Sequence, residues 1–462
     1  MVLRRTGRGV EVECIIVFAL SFILAGVFTE IRAEDEANLE LPPPATVEET
    51  VSPMDMTFYE WVRRRPITSW FKEKIKDLPP FISDMHLNLQ LRTLYFFQQN
   101  LDNSYNEAWA GGGGLDYQSG WLCDRFAVGA TLYTSQPLYA PDDRDGTKLL
   151  ATGQEGYTVL GQLYGKLKLF DRNEVRFYRQ SYDSPYINKY DSLMTPNTFE
   201  GYSAHGAFGE EKIGPGFMYA AGYVPKIKER DSDEFVSMSK AAGANVERGT
   251  VVAGGRFTYG ASSIGAIEYF TPDILNIFYA EAKHVWKVTD DLGFYFSTQF
   301  SHQQSAGDNL LTGSTFYTYQ VGFWGEVGYR NGILSFAYTK NNDGADLRYP
   351  WSSYPGFTSV QIRYFNRAGE QAFMVKASYD WKRFIPGLTT YVLYTVGNGR
   401  EDPLTGQSVP DENEIDADIQ YRITKGIGDG LWLRLRYAHT TEEGGRTADQ
   451  VRVIINFPIS FL

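Results

Sequence analysis

At 462 residues and a mean hydropathy of −0.32, this chain is too wet for a bundle of membrane helices, and its net charge of −12 excludes a generally basic nucleic-acid surface. Yet 15% of it is aromatic, with 31 Tyr and 30 Phe, and Gly is abundant at 45. Wet on average but aromatic is the composition of strands that alternate apolar and polar residues, in a closed barrel or a large soluble β-protein.

The N-terminus sets the compartment. Arg4, Arg5 and Arg8 precede an apolar run over 15–28, and Ile31-Arg32-Ala33 offers a cleavage site. That is the tripartite pattern of a secretory signal over 1–33, with an apolar stretch short for a membrane span. Removing it takes away Cys14 and leaves Cys123 alone, so no internal disulfide is expected. Residues 34–80 read as a periplasmic extension. They open acidic and Pro-rich, and continue through Trp61, Arg63-Arg64-Arg65, Trp70 and Phe71 as a short amphipathic helix interrupted at Pro66.

From His86 the period becomes two. In HLNLQLRTLYFF, Leu87, Leu89, Leu91, Thr93 and Tyr95 share one face, and Asn88, Gln90 and Arg92 the other. The same alternation returns at Phe126, Val128, Ala130 and Leu132, and in Tyr317, Tyr319, Val321 and Phe323. It returns again in Ile415, Ala417, Ile419 and Tyr421 against Glu414, Asp416, Asp418 and Gln420. About eighteen such segments fit, each near the ~10 residues a tilted strand needs to cross a bilayer.

Connections alternate in length. Tight turns at Asp171-Arg172-Asn173, Asn331-Gly332 and Pro386-Gly387 separate long polar loops at 136–159, 181–199, 228–246, 302–316, 340–370 and 398–413. A short connection at 271–274 and a longer one at 209–216 break the rule. Backbone groups in hydrocarbon have no water to bond, so strands survive there only when closed into a barrel. The expectation over 81–462 is therefore an all-β transmembrane antiparallel β-barrel of about 18 strands, with long extracellular loops and short periplasmic turns. The stretch 182–201, with two prolines and several tyrosines, has the length and side chains of a functional loop; in a tube it folds inward.

Several stretches resemble the OprD-type outer-membrane porins of Gram-negative bacteria. FISDMHLNLQLRTLYFF is similar to that family's first strand, and Tyr178 through Pro196-Asn197-Thr198-Phe199-Glu200-Gly201 to its third extracellular loop. YPGFTSVQIRYFNRAGEQAF is similar to the seventh loop and the strand after it, and LWLRLRYA and VRVIINFPISFL to the last two strands. Residues 34–77 have no counterpart. The resemblance implies a monomeric eighteen-stranded channel, pinched by its third and seventh loops, with a ladder of Arg and Lys that attracts the carboxylates of small solutes. Counting connections from His86 independently puts 182–200 third and 341–370 seventh on the long side.

Such a ladder requires basic residues on the polar parity of their strands. Arg434 and Arg436 satisfy this, as do Arg176, Lys166, Lys168, Lys376 and Arg92. Asp183, Asp191, Asp343 and Asp346 are the loop carboxylates that could complete the cross-section, and Tyr182, Tyr186 and Tyr190 the rings that could narrow it. The same charges would also hydrate a wide, unselective lumen. GLTTYVLYTVG, the strand after Pro386, carries no charge where the resemblance would place Arg.

Enzymatic chemistry has little foothold. Five scattered histidines form no HExxH and no Cys/His cluster, and Gly201-Tyr202-Ser203-Ala204-His205 lacks the second Gly of a nucleophile elbow. Asp142-Asp143-Arg144-Asp145-Gly146 lacks EF-hand spacing, and 111–114 is followed by no Lys-Ser/Thr. The reading is a passive outer-membrane porin without metal or cofactor, whose partners are the bilayer, ions and small polar solutes, carboxylate-bearing ones among them. The alternative is an outer-membrane barrel enzyme or adhesin using its long loops.

Overall fold

A computed structural model describes residues 69–209, 215–425 and 428–462. The signal segment, most of the extension and the core of the 209–216 connection lie outside these residues. The chain enters through two short helices, α1 (Ser69–Ile75) and α2 (Pro80–Ser83). α1 begins three residues after Pro66, where the expected helix was to be interrupted. The carbonyl of Phe81 in α2 accepts from Gly120 N at 3.1 Å, which seats the entry segment on the first periplasmic turn.

Eighteen long strands follow. They are β1 (His86–Gln99), β2 (Tyr105–Gln118), β3 (Phe126–Tyr139), β4 (Tyr157–Phe170), β5 (Asn173–Gln180) and β6 (Thr198–Gly209). Next come β7 (Pro215–Lys228), β8 (Thr250–Tyr259), β9 (Ser262–Thr271), β10 (Leu275–Lys287), β11 (Leu292–Ser305) and β12 (Tyr317–Tyr329). The last are β13 (Gly332–Asn341), β14 (Gln371–Asp380), β15 (Leu388–Asn398), β16 (Glu412–Arg422), β17 (Trp432–Glu442) and β18 (Thr447–Ser460). Each is antiparallel to its sequence neighbours, and β18 pairs with β1 from Asn88↔Ser460 to Gln99↔Asp449. Among the described residues the ring closes and no strand edge is left unpaired, which is what a strand in lipid demands. Among the described residues no helix is long and apolar enough to cross a membrane; the strands do the crossing.

Alternation explains the two faces. Leu91, Leu163, Leu167, Phe257, Phe323 and Val392 project outward and exposed, while Arg92, Gln299, Gln320, Lys376 and Arg434 are inward and buried. In β2, Gly113 sits at φ +132°, and a Cβ there would lie 1.8 Å from the Gln90 carbonyl oxygen of β1. Only glycine permits that close approach.

The interior is filled by three long-side loops, here L3 (181–197), L4 (229–249) and L7 (342–370). L4 contains a two-residue strand (Val236–Ser237) and the one-turn helix α3 (Met238–Ala241). Tyr186 and Ile187 of L3, Met238 of L4, and Leu347 and Trp351 of L7 form one apolar core against inward Tyr269, Ile277 and Tyr279. Trp351 is fully buried and donates from Nε1 to the Met238 carbonyl at 2.8 Å. Burial of this kind stabilises by about 1.5–3 kcal/mol for each large apolar side chain. It explains why β9 and β10 turn apolar residues inward: loops, not water, cover them.

Candidate pore constriction

The charged wall is built on β14 to β18 and β1. Glu414, Asp416 and Asp418 line the inner face of β16, Arg434 and Arg436 that of β17, and Arg452 that of β18. The register sets Asp418 opposite Arg436, and Arg436 opposite Arg452. Asp418 Oδ2 accepts from Arg434 Nε at 2.8 Å, and Arg436 Nε lies 3.2 Å from the same oxygen as an ion pair. Arg436 also donates to the Tyr391 hydroxyl at 3.2 Å, and Lys376 Nζ lies 4.6 Å from the centre of the Tyr391 ring. Arg452 donates to Gln450 Oε1 at 2.7 Å and rests over Phe96. Its position between Val451 and Val453 is the parity that picks out Arg434, so the alternation rule was sufficient to find it.

Arg92 ties the wall to L3. Its Nε donates to Asn456 Oδ1 at 2.7 Å, and its terminal nitrogens reach both Asp191 oxygens and the Leu193 carbonyl. A planar guanidinium suits this two-oxygen grip. Tyr190, next to Asp191, places its hydroxyl 2.9 Å from that of Tyr364 in L7.

The tip of L7 is held by carboxylates. Ile362 N and Arg363 N donate to the two oxygens of Glu414 at 2.7 and 2.8 Å, and Gln361 N to Asp416 Oδ2 at 3.2 Å. Arg363 then reaches Glu412 at 3.2 Å and Glu442 at 3.3 Å. Buried Arg400 lies among Glu412, Glu442 and Glu370, at 3.0, 3.7 and 3.9 Å. Burial pushes the Glu370 carboxyl up to about 7, and the neighbouring Glu412 charge adds to the effect.

Not every residue singled out in the sequence gathers here. Tyr190 and Asp191 reach the constriction, whereas Tyr186 roots L3, its hydroxyl 2.6 Å from Ser301 Oγ, and Tyr182 packs its ring at a tilt against Phe199. Arg176 faces Glu174 on β5, and Lys166 covers Trp121. Lys168 pairs with Asp124 at 3.2 Å and Asp171 at 3.7 Å, both in periplasmic turns. Asp346 braces Arg367 within L7, at 2.6 Å. Asp183 and Asp343 are exposed. Arg230 of L4, which no periodicity could flag, stacks its guanidinium 3.7 Å from the centre of the Tyr190 ring.

A closed barrel with a lipid-facing exterior, narrowed inside by its own loops, is an outer-membrane channel of the porin class. The chain belongs to the OprD family of outer membrane porins, whose family model matches residues 79–461. It is therefore a Gram-negative outer-membrane porin that passes small solutes by passive diffusion, in a family of porins and not of enzymes. Among solved structures it is similar to Pseudomonas aeruginosa OccK9 (OpdG), with TM-score 0.74 and 24% identity over 83% of this chain and 100% of that one. Acinetobacter baumannii OccAB2 gives TM-score 0.74 and 21% identity over 83% and 100%. Pseudomonas aeruginosa OpdK, solved with vanillate, gives 0.71 and 20% over 82% and 100%. No curated protein matches.

Proposed function

We propose that the monomeric barrel admits small polar solutes, carboxylate-bearing ones included, through the gap between the L3 and L7 tips and the Arg436–Asp418–Arg434 wall. The observation that carries this reading is the mixed row of charge beside that gap. Arg434 and Arg436 share Asp418, Arg92 grips Asp191, and Asp416 and Arg452 lie on the inner faces of β16 and β18. Such a row holds a field that orients a dipolar solute entering between low-dielectric walls. A solute carboxylate can bid for Arg434 and Arg436 only against Asp418, so binding stays weak enough for release. The ring-bearing carboxylate solved with OpdK is a solute of this chemistry. We propose further that residues 1–33 are a removed signal and that 34–80 remain in the periplasm.

The test is the reversal potential of the purified protein in a planar bilayer under a salt gradient. Replacing both arginines, Arg434→Ala with Arg436→Ala, leaves Asp418 without its partners and shifts selectivity toward cations. An unmoved reversal potential would put this wall outside the ion path.

A further inference from the structure

We propose that Arg230, in L4, is a positioning residue that sets the width of the constriction by holding Tyr190 of L3 against Tyr364 of L7. This rests on the reading that solutes pass between the charged wall and the L3 and L7 tips, and it adds a third loop to the border of that gap.

The arrangement is a chain of contacts from the barrel wall to the path. The Arg230 carbonyl accepts from the Tyr157 hydroxyl at 2.6 Å and from Thr195 Oγ1 at 3.1 Å, so its backbone is tied to the start of β4 and to L3. From that fixed point its NH1 donates to Ser192 Oγ at 2.7 Å, and its plane covers the Tyr190 ring at 3.7 Å. A stacked guanidinium is held by dispersion and by attraction to the ring face, and fixes the orientation of the ring it covers. The ring in turn aims its hydroxyl at Tyr364, 2.9 Å away. Arg230, Tyr190 and Tyr364 are all only partly buried, as residues bordering a wet path should be.

Both loops are strained at this contact. Tyr190 adopts φ +41°, and Phe365, next to Tyr364, adopts φ +50°. Bulky L-residues avoid the left-handed region and stay there only where their surroundings over-determine it. Each loop therefore has a relaxed alternative, and the Arg230–Tyr190–Tyr364 chain keeps both out of it. Losing Arg230 lets Tyr190 return to an ordinary backbone conformation and withdraw from Tyr364, so the gap widens and fluctuates. Tyr364 itself stays packed on Tyr349, with ring centres 4.6 Å apart, so the change falls on L3 first.

Single-channel recording of the full-length protein in planar bilayers tests this. Arg230→Ala should raise mean conductance roughly twofold and add open-channel noise, as expected when a narrow constriction loses a fixed wall. Arg230→Lys keeps the charge without the planar stack and should restore part of the effect. Tyr364→Phe keeps ring and packing, and should add noise without moving the reversal potential. A folded Arg230→Ala channel with wild-type conductance and noise overturns the proposal. Should that variant fail to show the heat-modifiable mobility of a folded barrel, Tyr364→Phe decides: wild-type noise there overturns it equally. The Arg434/Arg436 pair, run in parallel, reports separately on whether the charged wall lies in the path.

Discussion

The two halves of the inner wall spend their polar groups differently. On the long-side half of β11 to β13 the inward polar residues are neutral amides and hydroxyls, and several of them bond one another and the backbone of L7. Gln299 donates to Gln320 at 2.8 Å, Gln320 to Asn341 at 2.7 Å, and Asn341 to the carbonyls of Phe365 and Arg367 at 3.1 and 2.8 Å. Gln303 donates to the Arg348 carbonyl and accepts from its N–H. Thr318 closes on the Ala345 carbonyl at 2.6 Å. On β16 to β18 charged residues join the neutral ones on the inner face; Glu414 and Asp416 accept from L7 backbone, while Arg434 and Arg436 face Asp418 and Arg452 bonds Gln450. A neutral amide acts within contact distance, so that half serves as an anchor. A charge acts beyond it, so the other half still has a field to offer a passing solute.

If the amide half is the anchor, breaking it should have the largest effect. Asn341→Leu removes the donor to two L7 carbonyls and the acceptor for Gln320, all in a buried setting. Unpaired buried groups cost roughly 1–3 kcal/mol each, so a loss of about 2–5 kcal/mol is expected. The midpoint of guanidinium unfolding in detergent should fall, and L7 backbone exchange should quicken. A midpoint within error of wild type would mean that L7 is held chiefly by its apolar core.

The contrast between the halves also marks what the sequence made legible. Period-two alternation specified the barrel and its closure, because each strand must show one face to lipid. It specified Arg434, Arg436 and Lys376 for the same reason. It failed where a loop replaces water as the neighbour of the inner face. Leu94 and Phe96 of β1 point inward beneath Leu193 and Met194 of L3, and Tyr269 and Tyr279 point inward beneath Tyr186. Parity told which side a carboxylate faces but not its partner, so Glu414, Asp416 and Asp418 read as plain polar residues although they hold L7 and the arginines. Arg230 left no trace, because a loop residue acquires its neighbours only through three-dimensional folding. The FNRAGE island was legible as a family feature, and the fold supplies its reason. Asn366 binds the Leu347 carbonyl, Arg367 and Ala368 bind Asp346, and Glu370 accepts from Arg367 N.

Glu370 lies where L7 leaves the amide half and meets the Arg400 cluster, and it gives the comparison a pH axis. Its carboxyl is raised in the folded protein to about 7 from an ordinary 4.5. A raised acid stabilises the fold most below its unfolded value, and that stabilisation is lost as pH rises through the folded value. L7 should thus be held more firmly at pH 5 than at pH 8. Protection of the 361–370 amides relative to their intrinsic exchange rate should fall across that interval, and Glu370→Gln should flatten the dependence. Equal protection factors at both pH values in the wild type would show that Arg400 and Arg367 keep the carboxylate charged throughout.

The smallest effect is expected at Asp343, and it bears on the charged half. Exposed at the start of L7, Asp343 accepts a long bond from Asn342, at 3.4 Å. Its charge sits in water, where screening confines it to about 8–10 Å at ordinary salt. Asp343→Asn should therefore change stability by no more than about 0.5 kcal/mol, and should leave conductance and reversal potential at their wild-type values in physiological salt. If a reversal shift appeared there, comparable to that of the Arg434/Arg436 pair, the solute would be feeling charge at the loop surface as strongly as at the wall. Selectivity would then belong to the vestibule, and the division between an anchoring half and a field-bearing half would lose its functional meaning.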